Sequence, residues 1–281
     1  MRVGFSMLCF SGSTERQHLP LLERIAELGY DGVEVPVVGA DPGWLEALAR
    51  RLDELGLART AVGFATAECD PISDDPAVRR AADEHLAGLV ERSAILGADY
   101  LGGPIHSGYA VFGRGPATEE QLGRSAEALH RMAEVAGQHG NLRLGVEFLN
   151  RFECFLVTTA AETDALVERA EHPLLSTVYD THHAHIEEES PAAALTACAT
   201  SLGHVQVSES HRGVLGTGQV RWDETFAVLD HLGYDGWLVV ECFSRSDPEF
   251  GTALHVWRDL AEAGDYLERG IDFVRGRLEG L

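Results

Sequence analysis

The chain is poor in basic residues. Its 281 residues include 22 Lys and Arg against 45 Asp and Glu, a formal net charge of −23. Nucleic acid and anionic membranes both recruit positive surfaces, so neither is an expected partner. Paired cysteines are also missing. The five present, Cys9, Cys69, Cys154, Cys198 and Cys242, are odd in number and never spaced CxxC. That speaks against a disulfide framework or a zinc ribbon and for a reducing cytoplasm. No run approaches the roughly 20 apolar residues of a membrane span. The opening MRVGFSMLCF has no small-residue cleavage site and reads as a strand, not a signal peptide. No GxGxxG follows it, which leaves a dinucleotide fold little support, and no GxSxG or catalytic-cysteine motif occurs. Ser6, Ser11 and Ser107 have no evident base partner.

What is present is a regular alternation. Candidate strands are Arg2–Leu8, Gly32–Val37, Arg59–Ala65, Tyr100–Ile105, Leu142–Leu149, Leu174–Thr181, His204–Glu209 and Trp237–Phe243. Between them, stretches such as GWLEALARRLDELG and QLGRSAEALHRMAEVAGQHG repeat Leu and Ala every three or four residues, the helical period. Gly29, Gly56, Gly97 and Gly233 fall where left-handed caps would end those helices. Near-continuous apolar strands alternating with helices predict a parallel sheet covered by helices. Eight such units favour closure into an α/β (β/α)8 TIM barrel, which typically takes about 250 residues. Residues 1–281 are expected to be that single domain. The longest irregular stretches, Gly108–Thr118, Ser208–Arg221 and Ser244–Ala253, all follow strands, where barrel enzymes keep their active-site loops.

Four apolar runs end in oxygen-bearing side chains: Glu147 in LGVEFLN, Asp180 in STVYDTHH, Gln206 in GHVQVSES and Glu241 in WLVVECF. A carboxylate at the end of an apolar strand is costly to desolvate unless paired or bound to a cation. Four such groups on consecutive strands, facing one barrel mouth, describe a site for a hard divalent cation. All-oxygen donors favour Mn²⁺, Mg²⁺ or Co²⁺ over Zn²⁺, with Mn²⁺ the expected ion. The histidines of THHAH read as loop residues, His182 and His185 solvated or supporting. His204 shares a strand face with Gln206, one layer deeper, as a packing residue. The glycine-rich Gly213–Gly218 could cradle a phosphate, although it lacks the lysine and serine of a P-loop. Cys242 alternates outward beside Glu241 and is expected to pack.

These same residues carry a family resemblance. GVEFLNRFE, YDTHHAHIEE, LGHVQVSESHRGVLGTG, YDGWLVVECF and LHVWRDLA resemble the xylose-isomerase-like barrels, and within them the ketose 3-epimerases acting on D-tagatose, D-allulose and L-ribulose. The intervals separating Glu147, Asp180, Gln206 and Glu241 match as well. The resemblance implies that Glu147, Asp180 and Glu241 bind the metal and that Glu147 and Glu241 are the acid/base pair. It implies that Glu153, His183 and Arg212 hold the substrate, a free ketose, and that the protein is a homodimer or homotetramer. Two departures stand out. The epimerases usually carry histidine where this chain has Gln206, a residue found in related hydroxypyruvate isomerases. They often carry an aromatic where this chain has His106, which takes a substrate-facing place by position.

The expected chemistry is removal of the proton on carbon 3 beside a carbonyl and its return to the opposite face through an enediolate. A sugar isomerase of the hydroxypyruvate or tetrulose type is the nearest rival, favoured by Gln206. A C-glycoside-cleaving lyase subunit or an inactive sugar-binding barrel lies further off. A phosphorylated substrate is not expected, since Arg114, Arg151 and Arg212 are the main basic residues near the mouth.

Overall fold

The structure is a computed structural model that describes residues 1–140 and 142–280. Its strands are β1 Arg2–Ser6, β2 Gly32–Pro36, β3 Ala58–Val62, β4 Tyr100–Gly102, β5 Arg143–Glu147, β6 Leu175–Asp180, β7 Leu202–Val207 and β8 Trp237–Val240. Each pairs in parallel with the next, and β8 pairs back onto β1, with Arg2 opposite Trp237 and Phe5 opposite Val240. The sheet therefore closes into the eight-stranded barrel expected from the alternation.

The helices are α1 Leu19–Glu27, α2 Pro42–Leu55, α3 Pro76–Leu96, α4 Glu119–Gly137, α5 Ala160–Ala170, α6 Thr181–Glu187, α7 Pro191–Ala197, α8 Trp222–His231, α9 Pro248–Ala253 and α10 Ala263–Leu278. Local sequence sets their ends. Asp41, Asp75, Thr118 and Thr159 accept hydrogen bonds from first-turn amides of α2, α3, α4 and α5. Gly56 and Gly97 close α2 and α3 in the left-handed conformation, as their positions foretold. Leu45, Leu48 and Leu52 form the stripe that α2 buries.

All eight strands end earlier than expected, and two of these ends have a clear cause. β4 stops at Gly102 because Gly103 takes a φ of 129°, and a Cβ there would lie 2.1 Å from the Gly63 carbonyl oxygen. Only glycine permits that approach. The chain then turns outward with its ladder reduced to single bonds, Gly63 N donating to Gly102 O and Ala65 N to Pro104 O. THHAH, expected as loop, is the start of α6. Asp180 accepts from the His182 amide at 2.8 Å and so caps that helix directly from the end of β6.

The barrel has a packed floor. The Tyr100 ring stacks on His204, centroids 4.7 Å apart, and its hydroxyl shares a 2.8 Å hydrogen bond with Ser176. Gly145 and Gly203 make room for it, since a Cβ at either would fall 2.0 or 3.0 Å from the Tyr100 oxygen. His204 thus lies in the packed layer beneath Gln206, as strand periodicity predicted. Above this floor stand the polar strand ends.

Candidate metal and active site

Glu147 ends β5, Asp180 ends β6, Gln206 lies near the end of β7 and Glu241 follows β8; all four are buried. The barrel brings them together at one mouth. One ligand atom each from Glu147, Asp180 and His183 can be chosen within 4.8 Å of one another, a grouping that could hold a metal ion. Burial is the main force on their protonation. It pushes Glu147 well above the ordinary carboxylate range, and the nearby Glu241 and Asp180 push it further. Glu241 is raised to about 8 by burial, partly countered by Arg212. Asp180 is raised for the same first reason. A cation is the natural counter-charge for such a set.

Arg212 supplies part of that charge from within the protein. Its backbone takes a φ of 60°, a left-handed conformation that turns the side chain back over the barrel. There Nη1 donates to Asp180 Oδ2 at 2.6 Å, to Glu241 Oε2 at 2.5 Å and to Ser208 Oγ at 2.8 Å. The guanidinium lies over the Phe243 ring, 4.7 Å from its centroid.

His183 is fixed from behind. Asn150 donates to its Nδ1 twice, from the backbone amide at 3.1 Å and from Nδ2 at 3.0 Å. A backbone N–H can only donate, so Nδ1 accepts; Arg212 Nη2, another group that can only donate, lies in turn 2.9 Å from Nε2. That nitrogen faces Glu147 Oε1 at 3.5 Å and Asp180 Oδ2 at 3.6 Å. Burial holds the imidazole neutral by pushing its pKa well down. His183 thus meets a donor at each ring nitrogen, and its Nε2 is close enough to Glu147 and Asp180 to join them around a cation. The Asn150 amide also donates to Glu153 Oε1 at 2.7 Å, and Tyr109 donates to Glu153 Oε2 at 3.4 Å. These contacts aim Glu153 at the same cavity.

Glu34 is a residue that the sequence reading missed. It sits on β2, fully buried, and its carboxylate reaches across the barrel interior. Oε2 lies 3.0 Å from His204 Nε2, and Oε1 accepts from Gln206 Nε2 at 3.1 Å. The same Gln206 nitrogen donates to Glu241 Oε1 at 3.1 Å. Among the described residues nothing partners Gln206 Oε1, although it is buried. A buried amide oxygen without a partner is uncommon, and an oxygen ligand is what a hard cation takes. The residues present therefore fit a divalent metal.

A cavity of about 270 Å³ opens over these groups. Glu147, Glu153, His183, Arg212 and Glu241 give its wall polar atoms, while Leu8, Val62, Phe64, Phe250 and Leu254 line the rest. A second recess of about 290 Å³ lies against Glu153 and Arg212 and carries the exposed Trp257.

One expectation is corrected here. His106 does not line the cavity. It is fully buried, with Nε2 against the Glu147 carbonyl oxygen at 3.0 Å and Nδ1 against Ser107 Oγ at 3.0 Å, and burial pushes its pKa down to about 4. It braces the strand that carries Glu147 without facing a substrate. The glycine loop, a weak candidate for phosphate in the sequence, wraps an internal carboxylate. The Glu209 carboxylate accepts from Gly216 N at 2.9 Å and, just past the loop, from Gln219 N at 3.0 Å and Trp222 Nε1 at 3.1 Å. The protein's own anion sits where a phosphate would. Of the remaining histidines, His182 is buried and neutral against the Ser210 carbonyl oxygen, and His185 is exposed. Cys242 packs as expected, its sulfur 3.1 Å from that of Cys9, and burial pushes its thiol well up.

The chain belongs to the xylose isomerase-like TIM barrel family, whose model matches residues 22–275. It is 32% identical to a ketose 3-epimerase of Arthrobacter globiformis, over 100% of this chain and 98% of that protein. It is also 32% identical to an L-ribulose 3-epimerase of a Methylomonas species, over 90% of this chain and 88% of that one. A crystal structure of D-allulose 3-epimerase from Methylomonas sp. in complex with D-allulose superposes with a TM-score of 0.91 at 31% identity, covering 99% of this chain and 97% of that one.

Proposed function

We propose that this protein is a divalent-metal-dependent ketose 3-epimerase acting on free sugars, with Glu147 and Glu241 as the two proton-transferring groups. The observation that carries this reading is the pair itself. Two buried glutamates from β5 and the end of β8 share one cavity wall with His183 and Arg212, and burial pushes both above the ordinary carboxylate range. A carboxyl group moved toward neutrality is matched to taking and giving a proton near physiological pH.

A bound divalent cation, held by Glu147, Asp180, Glu241 and Gln206 Oε1, would act as a Lewis acid on the ketose carbonyl. The remaining work falls to the side chains. One glutamate removes the proton on carbon 3 and the other delivers one to the opposite face. His183, held at Nδ1 by Asn150, lines the cavity and helps to orient the sugar. Arg212 counters negative charge as it develops, and Glu153, held by Asn150 and Tyr109, accepts from a sugar hydroxyl. The apolar wall of Leu8, Phe64, Phe250 and Leu254 shields the exchange from water.

The finer readings have their own supports. Mn²⁺ suits an oxygen-rich donor set. A reducing cytoplasm agrees with five buried cysteines that are all free. We read residues 1–281 as one domain, because the pairing of β1 with β8 closes a single barrel. A homodimer or homotetramer would cover Phe152 and Trp257, which are 74% and 67% exposed. Light scattering on the purified protein checks the last point.

The test of the reaction is exchange in D₂O, followed by NMR, with Mn²⁺-loaded protein and a panel of tetruloses, pentuloses and hexuloses. Deuterium at carbon 3 with appearance of the epimer is the expected result. Glu147→Gln and Glu241→Gln should each abolish it while circular dichroism stays unchanged. Deuterium at carbon 1, or an aldose product, would move the assignment to a 1,2-isomerase.

A further inference from the structure

Glu34 gives the barrel a carboxylate beyond those at the ends of β5, β6 and β8, on a strand from the far side of the bore. It is fully buried, and its two oxygens do different things. Oε2 lies 3.0 Å from His204 Nε2 and 3.4 Å from Thr60 Oγ1. Oε1 accepts from Gln206 Nε2 at 3.1 Å, while the second hydrogen of that nitrogen goes to Glu241 Oε1, also at 3.1 Å.

Both donors of the Gln206 amide are therefore used, each on a carboxylate. Rotating the amide by half a turn would set its carbonyl oxygen against two carboxylate oxygens, which repel it. The orientation is fixed by charge, and it leaves Oε1 as the amide's one unpartnered atom. The identity of residue 206 now has a physical meaning. A histidine ligating through one ring nitrogen has a single N–H left to give. A glutamine has two, and here two carboxylates receive them.

We propose that Glu34 is a positioning residue that acts through Gln206, holding the amide nitrogen so that Oε1 is presented to a divalent cation and Glu241 is held in register with it. The inference rests on the metal-dependent reading above. Loss of a partner that orients a metal ligand typically costs about 10–100-fold in metal affinity.

The test reads metal binding and not turnover. Metal-free protein is titrated with Mn²⁺, free ion being counted by electron paramagnetic resonance, for wild type, Glu34→Gln, Gln206→Ala and the double variant. Glu34→Gln should weaken Mn²⁺ binding about 10–100-fold. In the Gln206→Ala background the same change should add less than about threefold, the mark of a residue acting through its neighbour. Equal losses in the two backgrounds would mean that Glu34 acts only as a nearby charge, and the proposal falls. Glu34→Asp keeps the charge and shortens the reach, so it serves also if Glu34→Gln does not fold. A tenfold loss there supports positioning, and unchanged affinity overturns it. Wild-type protein that binds no Mn²⁺ would sink the metal-dependent reading itself. Wild-type binding alongside unaltered Glu34 variants would sink this inference alone.

Discussion

Raising the pH of the chelator-treated protein from about 5 to about 9 is expected to destabilise it through its buried carboxyl groups, and one of them, Glu241, can be isolated by substitution. Glu241 is 3% exposed, and burial lifts its pKa from the usual 4.5 to about 8. Folding therefore favours its protonated form. The stability it contributes is fully present below the unfolded value and is lost as pH rises through the folded one. Each unit corresponds to about 1.4 kcal/mol, so the interval from 4.5 to about 8 bounds the effect at roughly 5 kcal/mol. At this chain length that is on the order of 10 °C in melting temperature. The acidic surface pulls in the same direction, so the quantity to measure is a difference. Thermal unfolding is followed with chelator present, in salt of at least about 0.15 M to screen the surface, for wild type and for Glu241→Gln, which cannot titrate. The wild-type melting temperature should fall relative to the variant between about pH 4.5 and about pH 8 and run parallel outside that window. Saturating Mn²⁺ should remove most of the fall, since a cation stabilises the ionised carboxylate. A constant difference across the whole range, or one of opposite sign, would refute the claim that burial controls Glu241.

Three further outcomes are expected. Arg212→Met leaves Asp180 and Glu241 without the guanidinium that bridges them at 2.6 and 2.5 Å; urea unfolding of the metal-free variant should show a loss of roughly 3–5 kcal/mol, largely recovered with Mn²⁺. Glu209→Ala removes the acceptor of Gly216 N, Gln219 N and Trp222 Nε1; global stability should drop by roughly 3 kcal/mol, and hydrogen exchange across residues 213–220 should quicken. Gly145→Ala places a Cβ 2.0 Å from the Tyr100 oxygen; overpacking should cost roughly 1–3 kcal/mol by denaturant melts, with partial recovery when combined with Tyr100→Phe.

The barrel was legible because strand and helix write different periods into sequence, and the apolar runs at residues 2–8 and 237–243 have no helical reading. Their ends were harder. Nothing in YLGGPIHS says which glycine turns the chain away, and the structure assigns that to Gly103 through contact with Gly63, some forty residues upstream. The candidate ligands Glu147, Asp180, Gln206 and Glu241 were legible as polar atoms placed where an apolar strand stops. Glu34 announced itself less plainly, as one charge inside GVEVP, yet a lone carboxylate flanked by valines in a fully buried strand is the same kind of signal read in the middle of a run. His106 was misplaced because position along a strand says which way a residue starts and not whether its neighbours already satisfy it. The glycine loop was a weak signal for a related reason. An anion cradle is a shape, and only the fold could reveal that Glu209 already fills it.

The Tyr100 plug over His204 gives the barrel one open end. Water and sugar must use the same doorway, so any hydrogen picked up from solvent during turnover has to arrive past the bound sugar or after it leaves. The ratio of solvent-derived to retained hydrogen in the product then becomes a measure of how well the bound sugar and the wall carrying Phe250 and Leu254 keep water from the reacting carbon.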